Sequence, residues 1–172
     1  MNAELIVLRF VHVGGGILWG GWILAMALFV TPAVAASGQA GSSFMQALAS
    51  KTKLMLIMTS VATLVVLSGW RLLWIASGGF DAEWLSSTHG VFIMSGGIVG
   101  TVMYIYGMLG MRPKAAKIGA IGAAIVASGQ PPTPEQQDQI ALLKSQMKVV
   151  GNIVGVLMAI TVFIMSIARY VY

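Results

Sequence analysis

Three stretches of this chain, 10–30, 85–111 and 149–168, each run for twenty residues or more without a charged side chain. A fourth, 54–75, carries only Arg71 near its end. A helix rises about 1.5 Å per residue, so about twenty apolar residues cross a hydrocarbon layer about 30 Å thick. A chain of 172 residues is mostly surface, and with 58% hydrophobic and 9% charged residues that surface must face lipid. The expected fold class is therefore all-α: an integral membrane four-helix bundle, up-down-up-down, in one domain over 1–172. The spans are expected at about 5–30, 54–75, 85–111 and 149–168. The first run is about twice the length of a signal-peptide core and reads as a span rather than a leader.

Punctuation marks the ends. Thr31-Pro32 should stop the first helix, because a residue before proline avoids the helical region. Residues 33–50 are small and polar, with Phe44 and Met45 placed on the surface. Lys51 and Lys53 open the second span, while Trp70, Arg71 and Trp74 close it at an interface. Ser77-Gly78-Gly79 is a turn, and Asp81 should cap the third helix with Trp84 as its interface anchor. Arg112-Pro113 should end that span, leaving a long cytoplasmic extension over 112–148 with a short surface helix at 114–130. Gly129-Gln130-Pro131-Pro132 breaks the chain, and Thr133-Pro134-Glu135-Gln136 opens a long final helix by a capping box. Arg169, Tyr170 and Tyr172 close it at the far interface.

Seven basic residues (Lys51, Lys53, Arg112, Lys114, Lys117, Lys144 and Lys148) fall on one side of the predicted spans, and three (Arg9, Arg71 and Arg169) on the other. Positive charge collects on the cytoplasmic side. Both termini are then expected on the outer, periplasmic side of a bacterial-type inner membrane. The same scatter explains the net charge of +5 and gives no dense patch for nucleic acid. The chain has no cysteine, which excludes disulfides, thiolate metal sites and catalytic thiols. The absence of Asp and Glu from the predicted spans argues against a proton pump or ion-coupled transporter. No nucleotide-binding loop, nucleophile triad or HExxH pattern is present.

Two histidines stand out, because ionisable residues inside spans are expensive and usually functional. His12 lies about one turn inside Arg9, and His89 between one and two turns after Trp84, so both are expected at a similar shallow depth. Two imidazoles facing each other in a helical bundle suit the axial positions of a b-type haem. Gly15, Gly16 and Trp19 follow His12 at i+3, i+4 and i+7. Gly96 and Gly97 follow His89 at i+7 and i+8, giving a flat macrocycle room to approach. Arg9 and Arg71 are the candidates for haem propionates. Against this, a histidine in a span is often a packing residue, and glycines are common where helices approach closely. Twelve methionines raise copper as the rival cofactor, since thioethers suit Cu(I), but they are scattered and form no cluster with histidine. Asn152 in the last span reads as an interhelical hydrogen-bonding residue.

The segment Leu8-Arg9-Phe10-Val11-His12-Val13, continued by Leu18-Trp19-Gly20-Gly21, resembles the first span of the copper resistance protein D-like superfamily of four-helix membrane proteins. That grouping includes the membrane region of certain urate oxidases and the HemJ-type protoporphyrinogen oxidases. The His12-to-Trp19 spacing and the glycines after it carry the resemblance, and the Gly129–Pro132 break before a long last helix adds to it. The resemblance implies a membrane bundle in which His12 binds haem b. HemJ-type proteins carry a lysine in a third-span "HxKL" motif. The matching region here reads Trp84-Leu85-Ser86-Ser87-Thr88-His89, without that lysine, so protoporphyrinogen oxidation is not carried over.

The expected function is a small membrane cytochrome b, with His12 and His89 as ligands, serving electron transfer or a redox complex rather than a stand-alone enzyme. Its partners would be lipid, quinone or an outer-face redox protein, with a homo-oligomer or a larger membrane complex as the assembly. The alternatives are a copper-handling membrane protein and a cofactor-free structural subunit.

Overall fold

The computed structural model describes residues 2–171. It is helical almost throughout, with no strand among the described residues. Six helices follow in order: α1 Ala3–Ala36, α2 Gly38–Lys51, α3 Leu54–Ala76, α4 Ala82–Ser86, α5 Thr88–Ser128 and α6 Pro134–Ile167. A 3-10 turn, Ala168–Tyr170, follows α6. Four of them, α1, α3, α5 and α6 with its terminal turn, are long and apolar enough to cross a membrane. Their outward faces carry Phe10, Ile17, Leu28, Leu64, Leu109 and Phe163, all exposed, as surfaces that meet lipid rather than water should be. Tyr172 lies outside the described residues.

α1 does not stop at Thr31-Pro32. It continues to Ala36, through π-helical turns at Phe10–Gly14 and Met26–Val30. The second of these precedes Pro32. A wider turn there shifts the hydrogen-bond register where proline has no N–H to give. The break comes later, at Ser37-Gly38, where Gly38 adopts φ +54°. Residues 38–51 then form a helix rather than a polar loop, and α2 folds back on the end of α1. Gly41 permits this, since a Cβ there would collide with the backbone of Val34.

α5 likewise runs straight past Arg112-Pro113. Proline deletes one hydrogen bond, but the alanine-rich stretch after it is a good helix former. Its real stop is Gly129, in the left-handed conformation at φ +63°. The region 112–148 is thus two helical arms joined by five residues, 129–133, with α5 and α6 each continuing their spans. Thr133 caps α6 as expected: its hydroxyl accepts from Gln136 N–H, and the Gln136 side chain accepts from Thr133 N–H.

The start of α5 also moves. Asp81 does accept from Trp84 N–H, but the helix it caps is only Ala82–Ser86. Ser87 is extended at ψ 154° and caps a new helix, accepting from Gly90 N–H. The Ser77-Gly78-Gly79 turn is present, and it leaves Phe80 at φ 66°. The edges of Trp70 and Trp74, with ring centroids 6.3 and 5.1 Å away, hold Phe80 in that costly conformation.

Glycine notches set the packing. Along α5, Gly96 faces Met165 and Ile164, Gly100 faces Thr161, Gly107 faces Val154 and Gly110 faces Val150, so α5 and α6 run in opposite directions. α1 packs on α3 with Gly15 against Val65 and Val61, and on α6 with Gly20 against Met158. The core between these helices holds Ala62, Val65, Met103 and Met158, with Met103 wholly buried.

Candidate functional site

His12 sits inside the π-helical turn Phe10–Gly14. Such turns are rare and recur at functional sites. Its Nδ1 lies 2.8 Å from the carbonyl oxygen of Val65 on α3. A carbonyl can only accept, so Nδ1 carries the hydrogen and, in the neutral ring, Nε2 keeps its lone pair. Gly69 makes the approach possible. A Cβ there would come within 2.7 Å of the imidazole Cε1.

His89 makes the same kind of bond elsewhere. Its Nδ1 lies 2.9 Å from the carbonyl oxygen of Ala168, just past the end of α6. Its ring stands edge-on to Trp84, centroids 5.8 Å apart. Neither Nε2 has a protein partner, and among the described residues no buried side-chain nitrogen is left without one. Each Nε2 therefore keeps an open edge.

The two histidines are not equivalent along their helices. His12 is the tenth residue of α1, and His89 is the second of α5. The break at Ser87 separates His89 from Trp84 and leaves it at the rim. α1 rests on α3 and α6, while α5 rests on α3 and α6 from the other side. Side chains meet across that gap in one aromatic pair, Trp19 edge-on to Tyr104 at 6.1 Å. The Tyr104 hydroxyl lies 2.7 Å from Thr63 Oγ1, which itself donates to Thr59 O, so Tyr104 is the donor. Trp70 Nε1 donates to Thr101 on α5. By sequence Tyr104 is a candidate to line the bundle, but its partners Thr63 and Thr101 carry no signal of their own in a span.

The expected glycine cradle divides. Gly15 is taken by Val65, and Gly96 by Met165 and Ile164. A Cβ at Gly16 or Gly97 would meet nothing within 4 Å. Arg71 is engaged: its Nη2 lies 2.6 Å from Glu4 Oε1, with both side chains about half exposed. Glu4 belongs to the first turn of α1, which begins before the expected boundary. Arg9 is exposed, and among the described residues no carboxylate pairs with it. Met158 and Met165 fill glycine notches, and Met103 fills the core. Asn152 is exposed, and among the described hydrogen bonds it has no interhelical partner.

Among the described residues no three His, Cys, Asp or Glu side chains gather as a metal site would require. A haem iron needs less, since the macrocycle supplies four nitrogens and the protein one or two. The donor chemistry here fits that demand: two imidazoles, each with Nδ1–H anchored to a carbonyl and Nε2 open. Anchoring of this kind orients metal-binding histidines generally. Compared with known protein families, curated proteins and solved structures, the chain matches none.

Proposed function

We propose that this protein is a small membrane cytochrome b of the copper resistance protein D-like kind, with its four long helices crossing the bilayer up-down-up-down as a bundle. Haem b is held through Nε2 of His12 and of His89, with Arg9 free to meet a propionate and Gly16 and Gly97 giving the macrocycle room. Bound there, haem supplies a one-electron iron couple, suited to exchange with quinone or an outer-face redox protein. The basic ends of the helices face the cytoplasm and both termini face outward.

One observation supports this most. His12 is a polar group in an apolar stretch, and the fold makes no use of its Nε2. Polar atoms in such a setting are costly unless they serve something.

The test is a visible spectrum of the protein purified after expression with haem supply. Dithionite reduction is expected to raise a b-type α-band, and His12→Ala is expected to abolish it. A featureless spectrum from folded, haem-supplied protein would sink the reading. Copper near one per chain with no haem would replace it with metal handling.

A further inference from the structure

Among the described hydrogen bonds, two backbone carbonyls accept from a side chain of another helix: Val65, from His12, and Ala168, from His89. They differ in one respect, because a hydroxyl also reaches Val65. Ser68 is buried in α3, and its one hydrogen is shared between the Leu64 carbonyl at 2.6 Å and the Val65 carbonyl at 3.1 Å. Other hydroxyls in the spans, those of Ser95, Thr101 and Thr161, each bond one carbonyl of their own helix and no carbonyl that a histidine uses. Serine back-bonding of this sort is ordinary in helices. Its coincidence with the anchor of His12 is not. The Val65 oxygen lies inside α3, where the helix supplies an N–H, and it also takes His12 Nδ1–H at 2.8 Å. Three donors thus draw on two lone pairs, and each weakens the hold on the others. Gly69 closes the arrangement, since it leaves the imidazole no freedom to back away without losing its seat beside α3.

We propose that Ser68 is a positioning residue for His12: by sharing the Val65 carbonyl, it limits how strongly Nδ1–H is held and so moderates the donor strength of Nε2. A hydrogen bond at one ring nitrogen feeds electron density to the other, which is how partners behind a metal-bound histidine tune it. In the low dielectric of a span such bonds polarise one another more than in water. Removing the hydroxyl leaves more of the Val65 oxygen to His12 and makes Nε2 the richer donor. Only the redox arm of the test below rests on the haem reading. The hydrogen-bond arm stands without it.

The chain has two histidines, so nuclear magnetic resonance of the full, haem-free protein with ring-labelled histidine shows two sets of signals, and His89 serves as the internal control. Ser68→Ala is expected to move the His12 Nδ1 proton downfield and to shift its Nε2 nitrogen, with the His89 signals unmoved. Ser68→Cys keeps the shape of the side chain with a far weaker donor, and it should act in the same direction. Ser95→Ala removes a span hydroxyl that bonds elsewhere, and it should leave His12 as in the wild type. Unmoved His12 signals in Ser68→Ala would overturn the proposal. So would equal movement of both histidines, or Ser95→Ala acting as strongly as Ser68→Ala. In haem-loaded protein, Ser68→Ala should lower the midpoint potential, because a richer axial donor favours ferric iron. An unchanged potential beside moved His12 signals would overturn the tuning. Protein that takes up no haem at all would sink the haem reading instead, and the labelled-histidine spectra would still decide this one.

Discussion

His12 and His89 make the same bond in two places, and the carbonyls that receive it differ in how well they are otherwise served. The Ala168 carbonyl stands just past the end of α6, where helix carbonyls lose their partners, and the backbone donor it does have, Val171 N–H, lies at a long 3.4 Å. His89 gives it a closer one at 2.9 Å, and so acts as a cap reaching over from a neighbouring helix. The Val65 carbonyl lies well inside α3, where the helix already supplies a donor, and the Ser68 hydroxyl adds another at 3.1 Å. His12 is its extra partner. A bond the fold can spare, made by a polar side chain in an apolar stretch, is better explained by what the other ring nitrogen does. The comparison therefore ranks the two by degree: His89 strengthens a weakly served carbonyl, and His12 adds to one already well served.

The largest effect that could break this ranking is on bound haem. His12→Ala is expected to remove all haem absorbance, while amide exchange around Val65 stays as slow as before. His89→Ala is expected to weaken haem binding and also to speed exchange in the turn after α6, because the Ala168 carbonyl loses a hydrogen bond of about 1 kcal/mol. If His12→Ala loosened α3 as much as His89→Ala loosens the end of α6, the distinction would be gone.

Gly69→Ala sharpens the comparison without replacing either histidine. The new methyl would collide with the His12 ring, 2.7 Å from Cε1. Crowding of that kind costs about 1–3 kcal/mol. The expected result is a shifted α-band and a weaker haem complex, with the turn after α6 unaffected. A spectrum identical to wild type would mean that the His12 ring position does not matter. Trp84→Ala is the matching change at the other site. Removing its edge contact with His89 should cost about 1 kcal/mol and leave the His12 site alone.

The contrast between the histidines also shows what the sequence made legible. The four apolar helices, the α3 boundaries, the turn at Ser77-Gly78-Gly79 and the capping box at Thr133 were readable, because each rests on local chemistry. Thr31-Pro32 and Arg112-Pro113 misled, because each proline lies within a helix that neighbouring structure sustains. Trp84 misled as a ruler of depth, since a single extended residue, Ser87, restarts the helix between it and His89. Gly15 and Gly96 looked like room for a cofactor and are helix-packing notches. Which glycine is filled depends on the facing helix, and that pairing is not written in any one segment. The carbonyl partners of the two histidines lie 53 and 79 residues away in sequence, beyond the reach of any spacing rule.

The two ends of α6 offer the smallest and most local test. One end is held by His89, and the other by the Thr133 capping box with Glu135 in the first turn. Glu135 stands in the arm outside the apolar span. A hydrogen bond from its own backbone N–H, then one from the Thr133 hydroxyl, hold its carboxyl below the usual carboxylate range. A carboxyl depressed on folding stabilises the folded state above its ordinary range, and that contribution is lost as pH falls through the lowered value. Acidification should therefore fray the start of α6 first. Amides at 135–138, corrected for the intrinsic pH dependence of exchange, should lose protection as the carboxyl titrates. Glu135→Gln should remove that pH dependence while leaving the Thr133–Gln136 reciprocal bonds intact. The wild type and Glu135→Gln should both keep the His89 end unchanged over the same range, because Glu135 lies at the opposite end of the helix. If acid loosened both ends together in Glu135→Gln as well as in the wild type, α6 would be melting as one unit, and its two caps would not be independent devices.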